Sequence, residues 1–405
     1  MQHTIPELVK AAEERINRLH IGCFEGIDTP LFLISDTYPG IWLEHVYDSV
    51  FYAKMNPEQL ELAVNTVMLF IKNQTPDGQL PFRVMNPAKY KSSDLIGYAQ
   101  IQECVSFAAL CLEVAEMKND PEFLRVVFEA SKKWENWIRK HRMTTGRGLV
   151  EMFVGYDTGH DNSGRLAGMA HHGNHVVDGK ALNAACLPDD DGITPILAVD
   201  MSCNLYGTDV AIAKMAKMLG NSDESEKYLA LAAGVKQKLF EHCYDPSDDF
   251  FYDVDRNGNK RRFLSSTIFH LFLEKVLDPV EDAELISRIY KKHIKNPNEF
   301  WTNYPFPSMA VCDPSTEGHI KSNCWGYFTE GLIDLRCTRW MDYYGFGEDF
   351  DFICRKWVEA WTDCFDTMKF GQELDPITGK PSPSSEWYSS CMLFYIYSAK
   401  RLGLM

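Results

Sequence analysis

Two consecutive stretches decide the fold: Val199–Gly220, VDMSCNLYGTDVAIAKMAKMLG, and Ser222–His242, SDESEKYLALAAGVKQKLFEH. In both, apolar residues recur at three- and four-residue spacing, the period of one helix face. Gly220 stands between them, where a helix should stop, since glycine takes the left-handed conformation without a Cβ clash. Two helices across a short turn make a hairpin, and the rest of the chain repeats it. Helical periodicity covers 5–19, 43–54, 57–73, 98–117, 120–141, 199–219, 222–242, 262–275, 280–294, 321–344, 347–366 and 386–402. Asn56-Pro57 and Asp120-Pro121 each read as a cap residue and a first-turn proline, and Gly345 marks another stop. No long run of alternating strands is present, nor the fixed-period repeat of a solenoid. Twelve helices in consecutive pairs, with no proline- or serine-rich linker, predict one all-α domain over 1–405. That is the count of an (α/α)6 toroid, six inner helices around a pocket and six outer ones wrapping them; an irregular helical bundle is the alternative. Residues 143–198 break the pattern. They are rich in Gly, Asp and His, and a structureless stretch of that length reads as a functional loop or lid.

Composition narrows the partners. The chain of 405 residues is 45% hydrophobic and 13% aromatic, material for a large core. Its net charge is −16 with no basic patch, which argues against nucleic acid and anionic membrane as partners. No stretch reaches the ~18 apolar residues of a membrane span. The N-terminal MQHTIPELVKAAEERI lacks the apolar core of a signal peptide. Twelve cysteines are scattered without a CxxC pair, so a reduced, cytoplasmic protein is the expectation.

Polar residues cluster at four places. Gly155–Arg165, GYDTGHDNSGR, taken alone is turn chemistry. Arg165, four residues from Asp161, is near enough to pair with it or to order the loop, and the apolar GLVEMFV before it should anchor it. Phe370–Gly379, FGQELDPITG, is again a turn, with Glu373 just ahead of Asp375-Pro376; for this segment alone a surface turn is the stronger reading. Around Trp42, the residues His45, Asp48 and Ser49 share one helix face. The fourth cluster runs from Trp301 through PSMAVCDP (307–314) to Asn323-Cys324-Trp325-Gly326-Tyr327. A histidine and acidic stretch, His171, His172 and His175 then Asp189, Asp190 and Asp191, reads as a solvated loop or a lid, because adjacent histidines do not converge on an ion as i, i+4 pairs do. Neither a metal nor a cofactor is predicted.

Taken together these motifs resemble the family 63 glycoside hydrolases, whose fold is shared with the family 37 trehalases. GHDNSGR (159–165) resembles the family's G-x-D-N-S-P-R, and QELDPITG (372–379) its E-x-x-D-P-x-T-G. Tyr47-Asp48-Ser49-x-Phe51 resembles W-x-W-D-S-x-F, and PSMAVCDP the segment ahead of W-R-G-P-x-W. The motifs fall in order from about residue 36 to the C-terminus. The nearest type is the compact bacterial mannosylglycerate and glucosylglycerate hydrolases. The resemblance implies a general acid at Asp161 and a general base at Glu373, inversion on an α-linkage, and a sugar pocket lined by Trp42, Asp48, Arg165 and Trp325. Four departures stand out. Gly164 replaces Pro, His45 and Tyr47 replace the two Trp residues, and N-C-W-G-Y stands for W-R-G-P-x-W without its Arg.

The chemistry explains the residue types. Cleaving an acetal needs one carboxyl that still holds a proton near neutral pH, which burial or a like charge provides. A second, ionised carboxylate activates water on the opposite face of the ring. Asp157 and Glu386 are the competing acids. Glu386 lies in Ser384-Ser385-Glu386-Trp387-Tyr388, where capping by Ser384 or Ser385 explains the segment; Glu386 and Trp387 are also candidates for substrate contact. The expected function is an exo-acting inverting α-glycosidase for a small α-glucoside or α-mannoside, a disaccharide or a glycosylglycerate-like compound. Two other readings stand beside it. One is a sugar epimerase or isomerase on a similar toroid, using His160, His171, His172 or His175; the other is a non-catalytic carbohydrate-binding protein.

Overall fold

Twelve α-helices carry the chain in the structure, a computed structural model that describes residues 3–170, 175–177, 180–182, 192–317 and 325–405. They are α1 (Ile5–Arg15), α2 (Val46–Met55), α3 (Leu60–Lys72), α4 (Phe107–Lys118), α5 (Pro121–His141), α6 (Val199–Met218), α7 (Ser222–Lys238), α8 (His270–Leu273), α9 (Ala283–Ile289), α10 (Gly331–Arg336), α11 (Gly347–Cys364) and α12 (Ser389–Arg401). The even-numbered helices form the inner ring: α2 packs on α4, α4 on α6, α6 on α8, α10 on α12, and α12 back on α2. Between α8 and α10 the ring closes through Phe272, whose ring lies 5.3 Å from that of Trp340. The odd-numbered α3, α5, α7 and α11 each lie against an inner neighbour, and α1 joins the two ends of the chain by packing on α11 and α12. This is the (α/α)6 toroid. Inner helices such as α2 and α12 are buried on nearly every side, as a helix surrounded by protein must be. The approach of α8 to α6 depends on Gly207, where a Cβ would meet the Glu274 carboxylate at 2.0 Å.

Several expected helices begin later than their periodicity suggested. α4 begins at Phe107 rather than 98, capped by the Ser106 hydroxyl, which accepts the Ala109 N–H. Upstream, backbone that would enter a helix is used elsewhere: the Ile101 N–H bonds the Asp157 carboxylate, and the Gln102 N–H the Asp157 carbonyl. α8 is a single turn after a 3-10 segment at Ser266–Phe269. α10 covers only Gly331–Arg336, because Trp325 has φ +62° and its N–H turns to the Glu330 carboxylate. Similarly, α12 starts at Ser389, and Ser384 caps nothing; its hydroxyl accepts the Gln372 N–H at 3.0 Å. Asn56 does not cap α3 either, since its side chain donates to the Tyr52 carbonyl. Asp120 and Pro121 open α5 as expected.

Short antiparallel strands tie the connecting segments together. Gly40–Trp42 pairs with Arg83–Met85, and Thr329–Glu330 with Glu373–Leu374. Of the loop region 143–198, positions His171, His172 and Asp189–Asp191 lie outside the described residues, as does the side chain of His175. The described cysteines are free thiols, most of them buried. No described helix is long and apolar enough to cross a membrane.

Candidate active site

The segments that lead into the inner helices meet in a closed circuit of contacts. Glu44, ahead of α2, accepts from the Gln102 amide ahead of α4 at 3.3 Å. The Gln102 backbone bonds the Asp157 loop, and in that loop His160 stacks on Trp325 ahead of α10 with ring centres 4.3 Å apart. The Trp325 N–H donates to Glu330 at 2.9 Å, and Glu330 is directly opposite Glu373 across two paired strands. The neighbouring Gln372 accepts from the Tyr38 hydroxyl at 3.3 Å. Tyr38 packs on Tyr388, whose hydroxyl meets His45 beside Glu44 at 2.5 Å.

Asp161 sits in this circuit on the GHDNSGR turn. The turn is held from behind by Arg165, which is 1% exposed; its two Nη atoms bind Asp253 at 2.6 Å and Asp200 at the start of α6. Of the two roles the spacing left to Arg165, ordering the loop is the one its contacts serve. Asp157 is equally engaged, with Arg142 at 2.6 Å. Only glycine fits at 159, where φ is +78° and a Cβ would meet Cys104 Sγ at 2.7 Å and the Glu44 carboxylate at 2.8 Å. The replacement of Pro by Gly164 has a local reason: Ser315 fills the space, 2.0 Å from where a Cβ would stand.

Burial raises the Asp161 carboxyl to about 7, and its buried Oδ1 has no hydrogen-bond partner. Glu44 is pushed up to about 8, by burial first and by the charge of Asp161 second. Two neighbouring acids in a dry setting cannot both ionise near neutral pH. The second pair is Glu330 and Glu373, both 0% exposed. Burial raises both. The charge of Glu373 raises Glu330 further, whereas at Glu373 the closeness of Glu330 and the hydrogen bond from Ser382 oppose the rise. Glu330 therefore holds a proton the more tightly of the two.

Position within the second motif matters. The family's Glu stands three residues before its Asp-Pro; here Gln372 holds that place and Glu373 is one residue nearer Asp375. Successive strand residues face opposite ways. Accordingly Gln372 turns to Tyr38, whose ring is edge-on to Trp42 at 5.2 Å, and Glu373 turns to Glu330. An amide cannot accept a proton from water, so Glu373 is the member of the pair able to act as a base.

The other candidates divide. Asp48 is 1% exposed, raised by burial to about 6; one oxygen accepts from Ser389 and Ser390 at the head of α12 and the other has no partner. Trp42 is half-buried beside Tyr38. Trp325 is 2% exposed in a left-handed conformation that is strained for a bulky residue, a cost that persists where surrounding structure enforces it. Glu386 is exposed and accepts the Lys369 N–H at 3.2 Å. Trp387 packs on Phe365 and Phe370 under Arg15. The contacts of Glu386 and Trp387 lead toward α1 and α11, away from the buried acids. Glu44, Glu330 and Arg336 were not singled out from the sequence. Their signal was an ionisable residue inside an apolar run, IWLEHV, YFTEGLI and LIDLRC, where charged residues are seldom fully buried without a purpose.

Comparison with known proteins agrees with this architecture. The structure is similar to that of the GH63 mannosylglycerate hydrolase from Thermus thermophilus in complex with glucose, with a TM-score of 0.70 and 17% identity over 96% of this chain and 99% of that one. It is also similar to the neutral trehalase Nth1 from Saccharomyces cerevisiae, with a TM-score of 0.67 and 12% identity over 99% of this chain and 80% of that one. A curated relative, an uncharacterized protein of Borreliella burgdorferi, is 30% identical over 103 residues, which is 25% of this chain and 21% of that protein. Residues 48–324, from Asp48 past Asp161, match the mannosylglycerate hydrolase MGH1-like glycoside hydrolase domain, and the chain belongs to that family of glycoside hydrolases.

Proposed function

We propose that the chain is an exo-acting, inverting α-glycosidase for a small α-glucoside or α-mannoside, a disaccharide or a glycosylglycerate-like compound. Asp161 is the general acid and Glu373 the general base. The observation that carries the reading is the unequal setting of these two buried acids. Asp161 retains its proton close to neutral pH, while at Glu373 the Ser382 hydroxyl and Glu330, which holds a proton more tightly, oppose the rise that burial imposes. Asp161 gives its proton to the glycosidic oxygen as the bond to the anomeric carbon breaks. Glu373 takes a proton from the water that attacks the opposite face. One displacement inverts the anomeric centre, without a covalent intermediate. Trp42 offers an aromatic face to the sugar, the free oxygen of Asp48 a hydrogen-bond acceptor for a hydroxyl, and the buried Trp325 supports the acid's turn through His160. A reduced, cytoplasmic setting suits the free thiols.

The test is a screen of α-linked disaccharides and of glucosyl- and mannosyl-glycerates for released sugar, followed by NMR of the first product. Release from one of these with the anomer opposite to the cleaved bond is the expected result. A retained anomer would overturn the inverting assignment. The epimerase reading makes a different prediction, histidine-like limbs in the pH–rate profile. It is disfavoured by His160, which is buried, stacked on Trp325 and held well below the usual histidine range by burial and Arg165.

A further inference from the structure

A small cavity of about 20 Å³ lies between α8 and α10, lined by His160, Ser266, His270 and Arg336 with apolar residues of both helices. Roughly 10–15 Å³ on this measure admits one water-sized occupant. Arg336 is 4% exposed, and its Nε and Nη2 have no hydrogen-bond partner among the described residues. Ser266 Oγ and His160 Nε2 are also buried and unpartnered. A buried guanidinium without a counter-charge is strongly unfavourable. Glu44 and Asp48 feel its field, yet burial raises both, so neither is a full counter-charge.

From these groups we infer that the cavity is a binding site for a small monovalent anion of halide type, held by Arg336, Ser266 and the His160 ring. The neighbouring trio His160, Asp200 and His270 brings its ligand atoms within 4.8 Å of one another, the spacing of a metal site. A cation there is disfavoured. Asp200 is already bound by Arg165, and the site lies between the guanidinium groups of Arg165 and Arg336, both of which push the His160 proton off. One guanidinium without an ion-pair partner, with the buried Ser266 hydroxyl and His160 Nε2 beside it, selects an anion. Size selects a monatomic one, since the cavity is far too small for a sugar. The position gives the ion a function. His160 immediately precedes Asp161 and is clamped between the cavity and Trp325. An ion that fixes the His160 ring fixes the turn that aims the acid, and it screens Arg336 from Glu44.

The test uses the whole wild-type protein, dialysed free of halide. Sodium chloride is titrated against sodium gluconate at constant ionic strength, and the thermal midpoint is followed. Crystals soaked in sodium bromide are measured at the bromine absorption edge. The expected results are a saturable rise of a few degrees with chloride but not gluconate, its loss in Arg336→Met, and an anomalous bromine peak beside Arg336. An empty or water-filled cavity in bromide overturns the proposal. So does a peak without a chloride-dependent midpoint, which marks an adventitious ion only. Displacement of bromide by D-glycerate would also overturn it, by making the cavity part of the substrate site. The bromine measurement needs no variant and decides the matter even if Arg336→Met fails to fold; none of these readouts depends on the glycosidase assignment.

Discussion

Replacing Asp161 by Asn should abolish turnover and yet stabilise the protein at alkaline pH. Burial lifts the folded-state carboxyl from its ordinary 3.8 to about 7. Because the folded value lies above the unfolded one, the folded state binds the proton more tightly, and wild-type stability falls as pH rises through that interval. At about 1.4 kcal/mol per pH unit the full interval is worth about 4 kcal/mol. The side chain keeps an edge to water, so we take about half, ~2 kcal/mol, as the realised penalty. Asparagine has the same shape and cannot ionise, so it escapes the cost. An unfolding entropy of ~2.1 cal/mol/K per residue over 405 residues is about 0.85 kcal/mol/K, which converts the gain to ~2 °C. The assay is paired thermal melts of wild type and Asp161→Asn at pH 4 and pH 8.5, with turnover measured on the same preparations. The Asn variant should match wild type at pH 4, melt higher at pH 8.5 and lose on the order of 10²–10⁴-fold in turnover. A variant equally or less stable at pH 8.5 would refute the buried-acid reasoning, and one with wild-type turnover would remove Asp161 from the mechanism.

Three other outcomes follow from the same site. Glu373→Gln should cut turnover by several orders of magnitude while product still binds; if adding Gln372→Glu to that variant restores activity, the base belongs at position 372. In the wild type, kcat should fall as pH rises through about 7, where Asp161 loses its proton; a profile flat from pH 6 to 9 would contradict its role as acid. Arg165→Met leaves Asp200 and Asp253 buried without their cation, and should cost about 3–5 kcal/mol in urea unfolding. A loss below ~1 kcal/mol would mean that the ion pairs do not brace the turn.

Much of the fold was legible because helices announce themselves locally. A face repeating every three or four residues, a cap such as Asp120 and a stop such as Gly220 need only a few neighbours to be recognised. The reading failed where tertiary contacts took over the backbone. Residues 98–106 have helical periodicity, but the N–H groups of Ile101 and Gln102 are used by Asp157, fifty-odd residues later in the chain. Periodicity reports which face is buried. It cannot report that the backbone has been claimed by a distant carboxylate.

The site shows the same division. Asp161 was found through a motif, which is a local record of a non-local arrangement. Glu44 and Glu330 have no motif, and their roles exist only because the chain returns to one mouth six times. Glu44 matters because Asp161 lies against it, and Glu330 because strand pairing sets it opposite Glu373. Each proposed catalytic acid thus has a second acid beside it, but only Glu330 alters the proton affinity of its catalytic neighbour. Asp161 raises Glu44 once it has lost its proton, whereas Glu330 lowers Glu373 against the rise that burial imposes. The difference is one of geometry. Each acid keeps one buried oxygen without a donor, and burial raises both; only at Glu373 is that rise opposed, by the Ser382 hydroxyl and by Glu330, which holds a proton more tightly. In the proposed mechanism the acid is the carboxyl that burial alone governs, and the base is the one that sits opposite a stronger proton holder.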